Sequence, residues 1–119
     1  MDNADRARVA LGTVRLALGT TALVVPGLLA RRVEPGPPSP ASVYAFRMFG
    51  IRTALIGWDL LVADGPELRS SLDRAPLIHA SDTVTATLLT ASGQVPVRTG
   101  LPLIAVSGLN TALALLARP

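Results

Sequence analysis

The stretch from Tyr44 to Leu61 constrains this chain most, because it is long and apolar enough to cross a lipid bilayer and yet contains three charged residues. Arg47, Arg52 and Asp59 interrupt the run. An uncompensated charge near the centre of a bilayer costs about 2.5–3.5 kcal/mol on insertion scales. These side chains are therefore expected to find partners inside a helical bundle rather than to face lipid.

Three more apolar runs accompany this stretch, so that the four cover residues 9–30, 43–62, 75–93 and 100–117. Each run is close to the ~20 residues that a helix needs to span a bilayer. Backbone polar groups in lipid must be satisfied internally, which helices achieve. The sequence therefore predicts an all-α fold, in which residues 1–119 form a single integral membrane domain. Its expected architecture is an up-down bundle of four transmembrane helices.

The first run has an alternative interpretation as a cleaved signal peptide. Arg15 interrupts its apolar core, and Leu28 lies two residues before Ala30, where a small-x-small cleavage site needs a small residue, so we expect the helix to be retained. Pro26 is expected to kink or end this helix. Two polar segments, 31–42 and 63–74, are predicted to be a Pro- and Gly-rich loop and a connector.

Composition excludes several classes of function. Half of the residues are hydrophobic and there is no cysteine, so disulfides and cysteine metal sites are excluded. The single histidine leaves no His-rich metal site, and neither a metal nor a cofactor is predicted. The basic residues are scattered arginines without the stacking aromatics of a nucleic-acid-binding face, so no nucleic-acid partner is expected.

The predicted location is the cell membrane, which the chain would cross several times. In an up-down bundle the N-terminus, the second connector and the C-terminus share one side. The arginines of that side are Arg6, Arg8, Arg69, Arg74 and Arg118, and those of the other side are Arg31, Arg32 and Arg98. The small excess places both termini in the cytoplasm by the positive-inside rule.

Small residues form stripes on two of the predicted helices. Gly12, Gly19 and Ala22 flank Arg15 at helical spacing, and Gly50, Ala54 and Gly57 form a similar stripe on the second helix. Small residues let helix backbones approach closely in membranes. We therefore expect Arg15 to point into the bundle, and small-residue faces to serve helix packing or a homo-oligomer.

The embedded charges predict a binding site. Arg15 or Arg52 is expected to pair with Asp59 or Asp82. Three embedded arginines face two aspartates, and the surplus positive charge would suit a carboxylate, an enolate or a lipid phosphate. The predicted substrate-binding residues are Arg15, Arg47, Arg52, Asp59, Thr83, Thr87 and Asn110.

His79 and Asp82 are the predicted catalytic residues. They are three apart on one helix, so the carboxylate could orient the imidazole and raise its pKa. The expected function is to bind, and in the enzymatic alternative to transform, a lipophilic small molecule with an anionic or enolisable group. The second interpretation is a non-catalytic membrane subunit or scaffold, in which the Arg/Asp network is structural. The sequence does not decide whether the protein is an enzyme.

The segment from Arg47 to Gly57 reads R-M-F-G-I-R-T-A-L-I-G and resembles a family of short four-helix membrane proteins classed as a domain of unknown function. That family reads roughly R-x-x-G-x-R-[DT]-x-x-x-G in its second helix, and an aspartate opens its third, which Asp82 matches. Many members have Asp where this chain has Thr53. The resemblance implies a four-helix membrane fold and no particular reaction.

Overall fold

The structure is a computed structural model that describes residues 1–33 and 36–118, and helices account for most of them. The elements are α1 (Asn3–Val24), α2 (Pro26–Val33), α3 (Pro40–Val62), α4 (Gly65–Ala91) and α5 (Val97–Ala117). These residues contain no strand. The predicted all-α class is confirmed.

The prediction of four membrane-spanning helices is wrong. Among the described helices, only α1 and α5 are both long and apolar enough to cross a membrane, judged by length and composition. The charged residues of α3 and α4 lower their apolar character, although both helices are long. Burial covers 33% of the candidate span in α1 and 22% of that in α5, so most of each helix faces outward.

Proline and polar caps set the helix boundaries. The first apolar run is divided at Val25, because Pro26 has no N–H to continue α1 and begins α2 instead. The side chain of Ser39 accepts a hydrogen bond from the N–H of Ser42 and caps α3. The expected loop of residues 31–42 is thus partly helical at both ends, and its residues 34 and 35 lie outside the described part.

The predicted connector of residues 63–74 is mostly helix. α4 begins at Gly65, which has φ +56°, and Pro66 follows in the first turn, where its missing N–H costs nothing. Glu67 in the same turn complements the positive end of the helix dipole. These are helix-start signals, and they extend α4 by about three turns beyond the predicted boundary at residue 75.

Glycines bring α1 and α3 into antiparallel contact along a seam. A Cβ at Gly19 would lie 2.7 Å from the Gly50 carbonyl oxygen, and one at Gly57 would lie 2.6 Å from the Gly12 carbonyl oxygen. Any side chain at these positions would collide with the facing backbone. We call Gly12, Gly19, Gly50 and Gly57 the glycine seam. The small-residue faces predicted from sequence are therefore occupied within the chain.

One end of the bundle holds the apolar core. Its buried members are Ala7, Leu11, Leu60, Leu72, Ala75, Ala114 and Ala117. They come from the start of α1, the end of α3, the start of α4 and the end of α5, so both chain ends lie at this end of the bundle. Arg8 reaches across to donate a hydrogen bond to the Leu60 carbonyl near the end of α3.

Many large apolar side chains lie at the surface and several polar side chains are buried, and we call this distribution the inverted surface. Twenty large apolar side chains are exposed among the described residues. The largest fully buried side chains include Arg15, His79, Asn110 and Thr53. In water, exposed apolar surface on this scale indicates an interaction with a membrane or another protein.

Candidate functional site

Four polar side chains are buried in the bundle, one on each of its four long helices. They are Arg15 on α1, Thr53 on α3, His79 on α4 and Asn110 on α5, and each is at most 2% exposed. Asp82 lies at their edge, with 34% of its side chain exposed. We call these five residues the polar core. Charged and amide groups rarely become fully buried unless they are paired, so the set needs a physical reason.

Arg15 is buried because the residues around it on α1 are small. Gly12 and Gly19 let α3 approach, and the guanidinium then has no path along that face to solvent. Its Nη1 lies 3.7 Å from Oδ2 of Asp82, which confirms the predicted pairing of Arg15 with an aspartate. Nε and Nη2 have no hydrogen-bond partner among the described residues.

His79 differs from its predicted state. Burial, and next the positive charge of Arg15, lower its pKa from 6.5 to about 4, whereas a pKa raised by Asp82 was expected. The aspartate contacts Arg15, and neither ring nitrogen of His79 has a partner in the described structure. The expected Asp–His pair is therefore replaced by an Asp82–Arg15 pair, and the imidazole is neutral at pH 7.

Thr53 and Asn110 complete the polar core. The hydroxyls of Thr13, Thr21, Thr83, Thr87, Thr90 and Thr111 each donate to the carbonyl four residues earlier. Oγ1 of Thr53 makes no such bond, and neither it nor Oδ1 of Asn110 has a hydrogen-bond partner within residues 1–33 and 36–118. Thr53 was not among the predicted site residues, although its position three after Gly50 and four before Gly57 puts it on the same face of α3 as these two glycines.

The other predicted binding residues lie further out. Arg47, Arg52, Asp59 and Thr87 are exposed. Arg52 is still close enough for its charge to act on Arg15. Thr83 is half-buried, and its hydroxyl lies 3.3 Å from that of Thr111, which joins α4 to α5 beside the polar core.

Two open clefts lie elsewhere on the molecule. One, of about 590 Å³, is an apolar groove on the side of α1 that includes Thr13, Leu16 and Thr20. The other, of about 420 Å³, lies between the end of α3 and the start of α4 and includes Asp59 and Arg74. No residue of the polar core borders either cleft. Asp82, with 34% of its side chain exposed, is the member of the polar core that lies nearest to solvent.

No known protein family, curated protein or solved structure matches this chain. The resemblance of residues 47–57 to a membrane protein family therefore stays a prediction. Among the described residues, no group of three or more His, Asp or Glu side chains is arranged to hold a metal ion.

Proposed function

We propose that this protein is a small integral membrane protein whose polar core binds the anionic or enolisable group of a lipophilic small molecule. The observation that carries the proposal is the state of Arg15. Its side chain is only 2% exposed, and Nε and Nη2 have no acceptor among the described residues. An unsatisfied donor of this kind carries a desolvation penalty that a bound acceptor would remove.

The local charge favours an anion as that acceptor. Arg15 and Arg52 bring two positive charges near the polar core, and Asp82 brings one negative charge. An anionic group beside Nε and Nη2 of Arg15 would neutralise the remaining charge. The guanidinium presents two parallel N–H groups to a carboxylate or phosphate, which makes the contact directional as well as favourable.

The inverted surface supports a membrane location. α1 and α5 are the candidate spans, and the exposed apolar side chains would contact acyl chains instead of water. The proposal includes a multi-pass topology with both termini at the same side. By the arginine count that side is the cytoplasm, although the excess is only two arginines, five against three.

Binding fits the site better than acid–base catalysis does. With a pKa of about 4, His79 is a weak base at pH 7, far from the matched pKa of an efficient general base. Its neutral ring still offers one donor and one acceptor, and Asn110 and Thr53 offer further hydrogen-bonding atoms. These groups would select a ligand by the pattern of its polar atoms.

A scaffold function is the second candidate, and the glycine seam favours it. Close backbone contact along the seam joins α1 to α3, and the Arg15–Asp82 pair joins α1 to α4, so together they would hold these three helices in a fixed arrangement. Under this alternative, neutral replacements in the polar core destabilise the fold, and the wild-type protein shows no preference for an anionic ligand. Under the binding proposal, such replacements lower the stability without unfolding the protein, and they remove a ligand preference that the wild-type protein has.

The test compares a long-chain fatty acid with the fatty alcohol of the same chain, using the whole protein in nanodiscs of neutral lipid. We expect the acid to bind at least about tenfold more tightly, which corresponds to about 1.4 kcal/mol. Arg15→Met should abolish the difference. Arg69→Gln, which removes the same charge from an exposed position on α4, should preserve it.

Equal affinity of the wild-type protein for acid and alcohol would contradict the proposal. So would an unchanged preference in a folded Arg15→Met variant. Loss of folding in Arg15→Met, together with no preference in the wild-type protein, would support the scaffold instead.

A further inference from the structure

The outward face of α3 is an exposed apolar stripe with two charges on one side. Its apolar members recur at intervals of four and three, and each is at least 45% exposed. They are Tyr44, Met48, Ile51, Leu55, Trp58 and Val62. Arg52 and Asp59 are also exposed and flank the stripe. We call this surface the α3 face.

The two charges of the α3 face have no ion-pair partner among the described residues. They are seven residues apart, which is about 10.5 Å along the helix and too far for them to pair with each other. Asp59 borders the polar cleft that Arg74 also lines. Arg52 lies about two turns before Asp59, between Met48 and Leu55, and it has no counter-charge within its own chain among the described residues.

The stripe is symmetric about Leu55. Met48 and Val62 lie seven residues before and after it, and Ile51 and Trp58 lie four before and three after. At 100° per residue, Arg52 and Asp59 both lie about 40–60° to one side of Leu55, whereas Ile51 and Trp58 lie about 40–60° to the other. One flank of the face is thus charged and the opposite flank is apolar.

A second copy of this chain fits such a face when the two α3 helices run antiparallel. A two-fold axis that passes beside Leu55 and is perpendicular to both helices reverses the direction of the second α3. It also places the charged flank of one copy against the charged flank of the other, and the apolar flank against the apolar flank. Arg52 then lies within about 1.5 Å, measured along the axis, of Asp59 of the second copy. On the other flank, Ile51 meets Trp58 of the second copy. Each contact occurs twice because the axis makes the interface self-complementary.

A parallel pair lacks this match. A two-fold axis parallel to the helices exchanges the flanks, so that Arg52 meets Ile51 of the second copy and Asp59 meets Trp58. All four charges would then lose hydration without gaining a partner, and unpaired charges at a contact are costly. The order of charges along the α3 face therefore distinguishes the two arrangements.

We infer that the α3 face is the interface of an antiparallel homodimer, held by two Arg52–Asp59 pairs around a Leu55–Leu55 contact. This surface shares no residue with the polar core or with the glycine seam, both of which lie within one chain, although the charge of Arg52 also acts on Arg15. In a bilayer the dimer contains one copy of each orientation. The two ends of the molecule differ by only two arginines, which permits both orientations across the membrane. The cytoplasmic placement of both termini, proposed above, then describes one of the two copies.

Cysteine cross-linking in membranes tests the inference, because the natural chain has no cysteine. Met48 and Val62 are fourteen residues apart, about 21 Å along the helix. In the antiparallel dimer, oxidation should cross-link a Met48→Cys chain to a Val62→Cys chain when the two are expressed together. Neither variant should cross-link alone, whereas Leu55→Cys should cross-link to itself. Leu109→Cys, exposed on α5, reports random collision.

Two outcomes overturn the inference. Self-cross-linking of Met48→Cys and of Val62→Cys, each expressed alone, would indicate a parallel pair. Cross-linking of all variants no higher than that of Leu109→Cys would mean that lipid covers the α3 face.

Charge exchange gives an independent readout. Arg52→Asp alone places two carboxylates together, and Asp59→Arg alone places two guanidinium groups together. Each single change should lower the yield of the Met48→Cys/Val62→Cys product by about tenfold. The double exchange, Arg52→Asp with Asp59→Arg, should restore the yield to within about twofold. A double variant as impaired as the single variants would exclude the Arg52–Asp59 pairing.

Discussion

Replacement of Gly19 by alanine is expected to force α1 and α3 apart. The new Cβ would lie 2.7 Å from the Gly50 carbonyl oxygen and 2.8 Å from Cα of Ala54, against an ordinary contact distance of at least 3.4 Å. These neighbours are backbone atoms, which no side-chain rotation can move. The backbone N of Ala54 is closer still, so the helices must separate by at least about 0.7 Å, a gap that forfeits roughly a quarter to a half of the dispersion energy of each affected contact.

The matched control is Gly108→Ala on α5. A Cβ at Gly108 has no atom within 4 Å, so this change is free of collision. Both substitutions gain the helix propensity of alanine over glycine, about 1 kcal/mol, and that gain cancels in the comparison. The difference isolates the steric term of overpacking, which is about 1–3 kcal/mol. Gly19→Ala should be less stable than Gly108→Ala by that amount.

Thermal denaturation of both variants in the same detergent provides the assay. For a chain of 119 residues, 1 kcal/mol corresponds to roughly 4 °C in Tm, so the predicted gap is about 4–12 °C. Equal Tm values for the two variants would refute the close backbone contact along the glycine seam. A Gly108→Ala variant below the wild-type Tm would refute the reasoning about helix propensity.

Two further predictions concern the polar core. Arg15→Met leaves the half-buried Asp82 without its partner and should lower the free energy of unfolding by about 1–3 kcal/mol, less than the 3–5 kcal/mol of a fully buried pair. The double variant Arg15→Met/Asp82→Leu should regain part of this loss. Denaturation of both variants measures the two losses, and equal losses would show that the broken pair is not the cause. Because the pKa of His79 is about 4 in the folded state and 6.5 in the unfolded state, the unfolded chain binds more protons between these values. The contribution of His79 to stability is therefore complete above pH 6.5 and falls as the pH is lowered towards 4. Measured against pH, the Tm of the wild-type protein should fall more steeply over this range than the Tm of His79→Gln.

The all-α fold class and the small-residue faces through which helices pack could be predicted from the sequence, because both depend on the local spacing of residues. Pro26 ended a helix as expected, and the stripes around Gly12 and Gly57 became the seam between α1 and α3. Arg15 was expected inside the bundle for the same reason, since its neighbours on that face are small. These inferences needed only the helical period and the sizes of the side chains.

Other features depend on rotation and on competition between partners, which spacing does not specify. Asp82 could approach either His79 or Arg15, and in the folded chain it forms an ion pair with the guanidinium of Arg15. Arg52 lies only one position before the buried Thr53, yet this rotation of about 100° exposes it. The number of spans was overestimated because apolar length was weighed more heavily than the charges of α3 and α4.

Alkaline carbonate extraction of membranes from cells that express the whole chain tests the central claim most directly, because the inverted surface should be stable only in lipid. The protein is predicted to stay in the membrane pellet after the wash, together with a known integral membrane protein. A peripheral membrane protein should appear in the supernatant as the control. Recovery of this chain in the supernatant as a folded protein would contradict the membrane location and, with it, the proposed binding of a lipophilic ligand.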